Sequence, residues 1–471
     1  MTEPKDAAGG ANRPLVAALI GAMVLPVLAR LTGILTAEVL SWAVAVAVAV
    51  LNWRGQGLRE LYLIGLACAL TVATVMFAPD PGAAVAGAFR QGVFLMAFVL
   101  MLGLLHEAAS SSPAVSETGL FLTRQPATRR FYALYLGTGF MSVLFNLGTI
   151  SFLLPLVQRG IAAAGPDDGL NHVRERRQIS AMLRGFGWAV VWSPTAIAPL
   201  ALFEILPNVD RMGWSLMGFG IFAVMLLVGA AEDRWSARGV RTRRPRTAPA
   251  VPWAAMARFA LVCLWLFGMA ELVAWATGDT IVFGLICCCP LLMAGWIAAQ
   301  TRGGPGVAAR AVGRRLRHVA LTRLPQAAGV AVTLGTSGYI GRLGAAFVPA
   351  EALAAALGVD RMPDWLLLAL IPPAVSLSSL LGLSPIILAV FFGSLFAALP
   401  VLPADPTLLA LAISCGWGLA SSFSPFATVV LVASGLTGIR PVRMTLVWNL
   451  RFNLLASAAL FPVFWLLTGG R

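Results

Sequence analysis

Charge is what this chain has least of. Of its 471 residues only 11% are Asp, Glu, Lys or Arg, while 59% are hydrophobic, and the mean hydropathy is +0.84. That scarcity excludes a soluble globular protein of this length and points to a polytopic helical membrane protein. Lysine is nearly missing: Lys5 is the only one, and every other basic side chain is Arg. A net charge of +14 would suit a nucleic-acid partner, but the arginines fall in short loops between apolar runs. There they record topology, and no nucleic acid is expected. Histidine is equally sparse. His106 stands at the edge of an apolar run beside Glu107, and His172 and His318 lie in loops, so no His proton relay crosses the apolar runs. The six cysteines, Cys68, Cys263, Cys287, Cys288, Cys289 and Cys415, all lie in apolar runs. They read as small core residues, since a disulfide needs a correctly placed partner. Consecutive helix positions face different directions, which disfavours a metal site at Cys287-Cys288-Cys289. The N-terminal MTEPKDAAGGANRP is polar and short, and the apolar stretch from Leu15 leads straight into further spans, so no cleavable signal is expected.

What is present is a pair of long apolar segments, each interrupted by Ser-Pro. Residues 187–202 read GWAVVWSPTAIAPLAL and residues 418–433 read GLASSFSPFATVVLVA. In register, Gly187/Gly418, Ala189/Ala420, Ser193/Ser424, Pro194/Pro425, Ala196/Ala427 and Leu200/Leu431 coincide. Proline inside a helix removes one backbone bond and crowds the preceding turn. Lipid cannot satisfy the freed groups, so broken helices persist only where they line a protein-enclosed or watery cavity. A matched pair of them in two halves points to a transporter's binding site.

Loop charge orders the rest. Spans are read near 14–29, 38–52, 60–78 and 83–106, followed by a basic stretch with Arg124, Arg129 and Arg130. The apolar segment 131–163 runs from there to Arg174, Arg176 and Arg177, so both its flanks are cytoplasmic. A re-entrant hairpin turning at Asn146-Leu147-Gly148-Thr149 satisfies that. Spans 178–207, 213–231, 253–277, 280–300 and 324–346 follow, with Arg-rich loops at 234–246 and 302–323 inside. Segment 364–400 is flanked by Glu351, Asp360 and Asp364 on one side and Asp405 on the other, which predicts a second hairpin entering from outside and turning near Gly382-Leu383-Ser384-Pro385. Spans 406–437 and 444–467 close the chain. The expected fold is an all-α polytopic membrane protein of about eleven transmembrane helices and two re-entrant hairpins. Its domains are N-terminal scaffold helices 1–106, a first repeat 107–231, linking helices and basic loops 232–323, and a second, inverted repeat 324–471. The N-terminus is expected in the cytoplasm and the C-terminus in the periplasm, in a bacterial inner membrane.

This arrangement resembles the ion transporter superfamily, which includes divalent-anion:sodium symporters, arsenite permeases and the large membrane subunits of tripartite transporters. The similarity covers about residues 60–467 and lies in the architecture. The Ser-Asn-Thr signature of those symporters is absent. Its nearest counterparts are Asn146 with Thr149 in the first hairpin and Ser378, Ser379 and Ser384 in the second. The resemblance implies a homodimer built from scaffold and transport parts.

Asn146, Ser193, Ser384 and Ser424 each suit an N-cap, where a side-chain oxygen accepts an orphan backbone N–H. The last three precede Pro, which is pre-organised for the first helical position. Several positive helix ends around one cavity make an anion site without an ionised side chain. Cation sites are expected beside it, among carbonyls and hydroxyls. The candidate solute and ion ligands are Asn146, Gly148, Thr149, Ser193, Pro194, Thr195, Ser379, Ser384, Ser422, Ser424, Pro425 and Thr428, with Ser151 and Ser421 nearby. Hydroxyls in apolar helices usually bond back to their own backbone, so the regions outweigh any one residue. Arg184 and Arg258 are expected to snorkel from cytoplasmic ends and Glu204, Glu271 and Arg342 from outer ends. Arg451, with Asn449 and Asn453, is expected to brace the second broken helix.

No Asp or Glu falls in either break or hairpin turn, which disfavours proton coupling and favours sodium. The reading is a secondary transporter of a small anionic solute. It needs no cofactor beyond Na+ as coupling ion, and its partners are the solute, the lipid bilayer and a second copy of the chain. Two alternatives stay open: the membrane subunit of a binding-protein-dependent transporter, and a membrane enzyme acting on a lipid-linked sugar. The enzyme lacks a base beside any nucleophile.

Overall fold

The computed structural model describes residues 12–110, 112–162, 170–238, 249–301 and 304–470, with the side chains of 106–110 and of Asp360 also left aside. The polar N-terminal segment, the loop arginines from Arg241 to Arg246, Arg302 and the side chains of His106 and Glu107 lie outside that description. Among the described residues the structure is helical throughout, without a strand. The helices are α1 (Arg13–Thr32), α2 (Leu35–Leu51), α3 (Leu58–Phe77), α4 (Pro81–Ser110), α5 (Pro113–Thr123), α6 (Ala127–Phe145), α7 (Gly148–Ala162), α8 (Asn171–Ala189), α9 (Ile197–Ile205) and α10 (Arg211–Ser236). They continue with α11 (Trp253–Thr277), α12 (Ile281–Gln300), α13 (Pro305–His318), α14 (Leu324–Ala346), α15 (Ala350–Leu357), α16 (Asp364–Ser378), α17 (Pro385–Ala397), α18 (Pro406–Phe423), α19 (Thr428–Thr437) and α20 (Leu450–Leu467).

The chain is an all-α polytopic membrane protein. Among the described residues nine helices are long and apolar enough to cross a membrane, or ten if one bent pair is a single span. The count differs from the expected eleven for local reasons. Leu35–Leu51 is short, residues 178–207 are divided and carry Arg-rich α8, and Pro305–Ala346 pairs with Ala350–Leu357 across a 74° bend. In the other direction, Asp364–Leu381, expected as a hairpin arm, meets the length and hydropathy of a span by itself. The six cysteines are free thiols, but only Cys288, Cys289 and Cys415 are buried; Cys68 is exposed.

Two compact units divide the chain, one from Met1–Ala108 with Trp265–Ile340, the other from Ala109–Leu264 with Gly341–Arg471. The first is held by Arg30 paired with both oxygens of Asp279 at 2.7 and 2.8 Å. Aromatic contacts add to it: Trp42 stacks on Phe89 at 5.4 Å, and Phe89 meets Tyr339 edge-on at 5.0 Å. Glycine lets α4 and α14 touch there, since a Cβ on Gly92 would stand 2.8 Å from the Gly335 carbonyl oxygen.

The second unit contains a repeat. A constant shift of 231 residues carries Ile197–Ile205 onto 428–436 and Arg211–Ser236 onto 442–467, matching α19 and the last helical stretch to within one residue at each end. A shift of 237 carries the starts of α6 and α7, Ala127 and Gly148, onto Asp364 and Pro385, the starts of α16 and α17. Each repeat is thus a helical hairpin, a broken helix and a closing helix. The packing is reciprocal: α6 lies on α8 as α16 lies on α18, and α7 packs on α19 as α17 packs on α9. Reciprocity of this kind is what a two-fold relation produces. Equivalent helices α8 and α18 then meet at equivalent residues. A Cβ on Gly187 would lie 2.9 Å from the Gly418 carbonyl oxygen and 2.9 Å from Ser421 Cβ, and one on Gly418 would lie 3.3 Å from the Gly187 carbonyl oxygen.

Replacing Gly187 with Val is expected to destabilise the protein by about 1–3 kcal/mol through overpacking at this crossing. Gly220→Ala, where nothing lies within 4 Å, is the control. Thermal unfolding in detergent checks it; equal midpoints for the two variants would mean that the crossing is loosely packed.

Candidate functional site

The two breaks have one geometry. Pro194 and Pro425 lack the N–H that would continue the helix, so α8 and α18 end just before them. The Ser193 amide donates to the Ala189 carbonyl at 2.9 Å, and the Ser424 amide donates to Ala420 at 2.8 Å. One four-residue turn follows, closed by the Ala196 amide on the Ser193 carbonyl and by the Ala427 amide on the Ser424 carbonyl, both at 3.1 Å. Proline fits the second position of such a turn because its φ is already set. Ala196 (φ −72°, ψ 136°) and Ala427 (φ −63°, ψ 131°) are extended and open α9 and α19.

This corrects the expected caps. Ser193 and Ser424 finish the first half-helices and do not cap the second, because the intervening turn displaces the helix start by three residues. Asn146 ends α6 instead of starting α7: it sits at φ 46°, ψ −129°, a positive φ that Asn tolerates better than most residues. Its side-chain oxygen accepts the Leu147 amide at 2.8 Å. Ser384 alone stands where expected, at the N-cap of α17 with Pro385 in the first turn.

Each break is tied by a hydroxyl to the hairpin of its own repeat. The Thr195 hydroxyl donates to the Val143 carbonyl at 2.6 Å, with Ser193 Oγ 3.2 Å from Thr195 Oγ1. The Ser424 hydroxyl donates to the Ser379 carbonyl at 3.0 Å and accepts the Phe426 amide at 3.3 Å. Ser193, Thr195, Ser379 and Ser424 are all buried. Thr149, second residue of α7, is fully buried, and its hydroxyl has no hydrogen-bond partner among the described residues. Gly148 and Thr428 open α7 and α19, which pack together. The structure therefore brings the break residues of each repeat to their own hairpin, and packs helices across the repeats, α7 with α19 and α9 with α17. No hydrogen bond joins Asn146 to either break among the described residues. Ser151 is exposed, and Ser421 bonds back to the Trp417 carbonyl at 2.9 Å.

Arg184 is a second correction. It does not snorkel; it is 2% exposed and held from four directions. Its guanidinium pairs with Glu232 at 2.8 Å, itself buried. It donates through Nε to Asn449 Oδ1 at 2.8 Å, reaches the Gly229 carbonyl at 3.4 Å, and lies 4.2 Å from the Phe452 ring centroid. Beside it Arg177 grips both oxygens of Asp233 at 2.9 and 2.7 Å. The Asn449 amide group donates to the Met444 carbonyl at 2.7 Å, Asn453 donates to the Asn449 carbonyl at 2.9 Å, and the Ser422 hydroxyl donates to Asn453 Oδ1 at 3.0 Å. The bracing expected of Arg451 is thus done by its neighbours, while Arg451 is exposed and stacks against Trp235 at 5.7 Å. The four-residue spacing of Asn449 and Asn453 inside an apolar span signals one polar face; nothing local in the sequence pairs Arg184 with Glu232.

No protein-family model and no curated protein matches the sequence. Among solved structures, the fold matches a crystal structure of the YdaH transporter of Alcanivorax borkumensis. The TM-score is 0.52, with 17% identity over 88% of this chain and 99% of that one. The chain thus has the fold of a polytopic membrane transporter.

Thr195→Val and Ser424→Ala each leave a hairpin carbonyl without its donor, at an expected cost of about 1–3 kcal/mol. Thermal unfolding beside Ser151→Ala checks this, and midpoints no lower than that control would remove the tethers from the account. Glu232→Leu strands a buried guanidinium and is expected to cost about 3–5 kcal/mol, whereas Arg184→Met with Glu232→Leu costs less. The same unfolding series reads the difference.

Proposed function

We propose that this protein is a secondary active transporter that moves a small anionic solute by alternating access, coupled to sodium. The observation that carries this is the matched pair of helix breaks, each tied by a buried hydroxyl to a hairpin of its own repeat, in repeats whose central helices cross at Gly187 and Gly418. In this reading the hairpins are re-entrant and the repeats inverted, so exchanging the two repeat conformations opens the site to alternate sides. The shared fold with a transporter supports the general class.

Anion preference follows from the amides at the starts of α7, α9, α17 and α19, which carry no acidic residue in their first turns where these are defined. Sodium fits the hydroxyls and unwound carbonyls beside them and the lack of a carboxylate at either break. As with the ion transporter superfamily, the working form is a homodimer, here in an inner membrane with a cytoplasmic N-terminus and periplasmic C-terminus. The catalysis of a bond change has no place in this scheme.

A panel of inorganic and organic anions, each offered with sodium chloride or choline chloride, tests the reading by thermal shift and then by uptake into proteoliposomes. At one hundred times its Kd a true solute stabilises by about 2.7 kcal/mol, and more in sodium than in choline. Uptake of the same anion should fall when Ser193 and Ser424 are replaced by Leu. Stabilisation by neutral or cationic solutes alone, or uptake indifferent to sodium, would contradict it.

A further inference from the structure

The repeat is symmetric at its breaks and asymmetric around them. Under the shift of 231 residues, Ser422, Asn449, Asn453, Arg184 and Glu232 correspond to Val191, Gly218, Phe222, Cys415 and Val463. Every polar member of the network therefore has an apolar or glycine counterpart. Around the second break the chain of bonds is continuous and buried: Glu232 to Arg184, Arg184 to Asn449, Asn449 to Asn453 and Asn453 to Ser422, two residues before Ser424. Its members come from α8, α10, α18 and α20 or the turn before it. Around the first break the counterpart surroundings are aromatic: Trp192 meets Phe140, Phe219 and Phe222 with centroids 5.2, 5.5 and 5.7 Å away. The indole N–H groups of Trp188 and Trp192 have no hydrogen-bond partner among the described residues.

These two settings respond differently to movement. A fully satisfied buried polar chain has one good arrangement, since displacing any member strands another in a low-dielectric interior. Aromatic packing has no such directional demand, and indole donors without acceptors lose nothing when they shift.

We infer that Arg184 is a positioning residue that fixes the second helix break, leaving the first as the one that moves. Arg184 acts at a distance: it pins the Asn449 side chain and with it the turn that opens α20, whose Asn449 backbone carbonyl accepts from Asn453, which in turn accepts from Ser422 at the end of α18. Resting on the carrier reading above, this places the conformational step of the cycle at residues 190–196. Proline-flanked amides at the two breaks, otherwise equivalent, then differ in opening free energy.

Hydrogen–deuterium exchange of the full-length protein in nanodiscs tests this, and it needs no solute, so its failure is separable from failure of the carrier reading. The second break (peptides across 419–428) is expected to exchange about tenfold more slowly than the first (188–197), a difference of one buried hydrogen bond or so. Ser422→Ala, and Arg184→Met combined with Glu232→Leu so that no buried charge is stranded, should raise exchange at 419–428 about tenfold while leaving 188–197 unchanged, and Ser422→Thr, which keeps the hydroxyl, should restore the slow rate. Equal exchange at the two breaks in the native protein overturns the inference. So does an increase in Ser422→Ala spread evenly over the chain, the signature of general destabilisation. Should the Arg184→Met, Glu232→Leu double variant not fold, Ser422→Ala and Ser422→Thr carry the test alone.

Discussion

The structure depends on one constraint: inside a bilayer a backbone polar group must find its partner within the protein. Two prolines break that provision at matching places, and the rest of the second unit answers them. Each break spends the freed carbonyl of its serine on a single turn, closed at 3.1 Å in both copies. Each then anchors to a hairpin through one hydroxyl, Thr195 on Val143 and Ser424 on Ser379. Hairpin and break thus occur together in both repeats, joined by one buried hydroxyl each. Glycine at the crossing of α8 and α18 lets the two broken helices approach closely.

Electrostatics enters by what is kept away from the breaks. The buried ion pair Arg184–Glu232 sits on the flank, satisfied by Asn449 and packed on Phe452. A pair of this kind contributes less to net stability than to holding one arrangement of the groups around it. That role suits a helix break better than a hydrophobic contact would, because the arrangement is directional. Both breaks accordingly carry buried hydroxyls and no ionised side chain at either turn.

Much of this was legible in the sequence. Low charge and long apolar runs gave the class, and loop arginines located hairpins whose arms, 131–163 and 364–400, fall close to α6–α7 and α16–α17. The register of the Ser-Pro pair aligned Gly187 with Gly418, and the structure brings these two residues together. The cap assignment failed because Ser-Pro is compatible both with a helix start and with a turn after a helix end; only the Ala196 and Ala427 amides, three residues on, distinguish them. Arg184 was misread since its distance along the helix from a loop suggests snorkelling, while its partner Glu232 lies 48 residues away on a different helix. Contacts at that separation leave no trace in local pattern. The expected eleven spans and the nine or ten counted in the structure differ at α2, at the divided helices and at α16, where length alone does not say whether a helix crosses.

Which side each hairpin end faces tests the central claim most directly. In a variant with its six cysteines replaced, single cysteines at the exposed positions Arg129, Arg159, Arg361 and Pro400 are labelled in oriented vesicles with a membrane-impermeant thiol reagent. Two opposed re-entrant hairpins predict that Arg129→Cys and Arg159→Cys react only from the cytoplasmic side, and Arg361→Cys and Pro400→Cys only from the other. Labelling of the two ends of either hairpin from opposite sides would mean that it crosses the membrane, and would contradict the account.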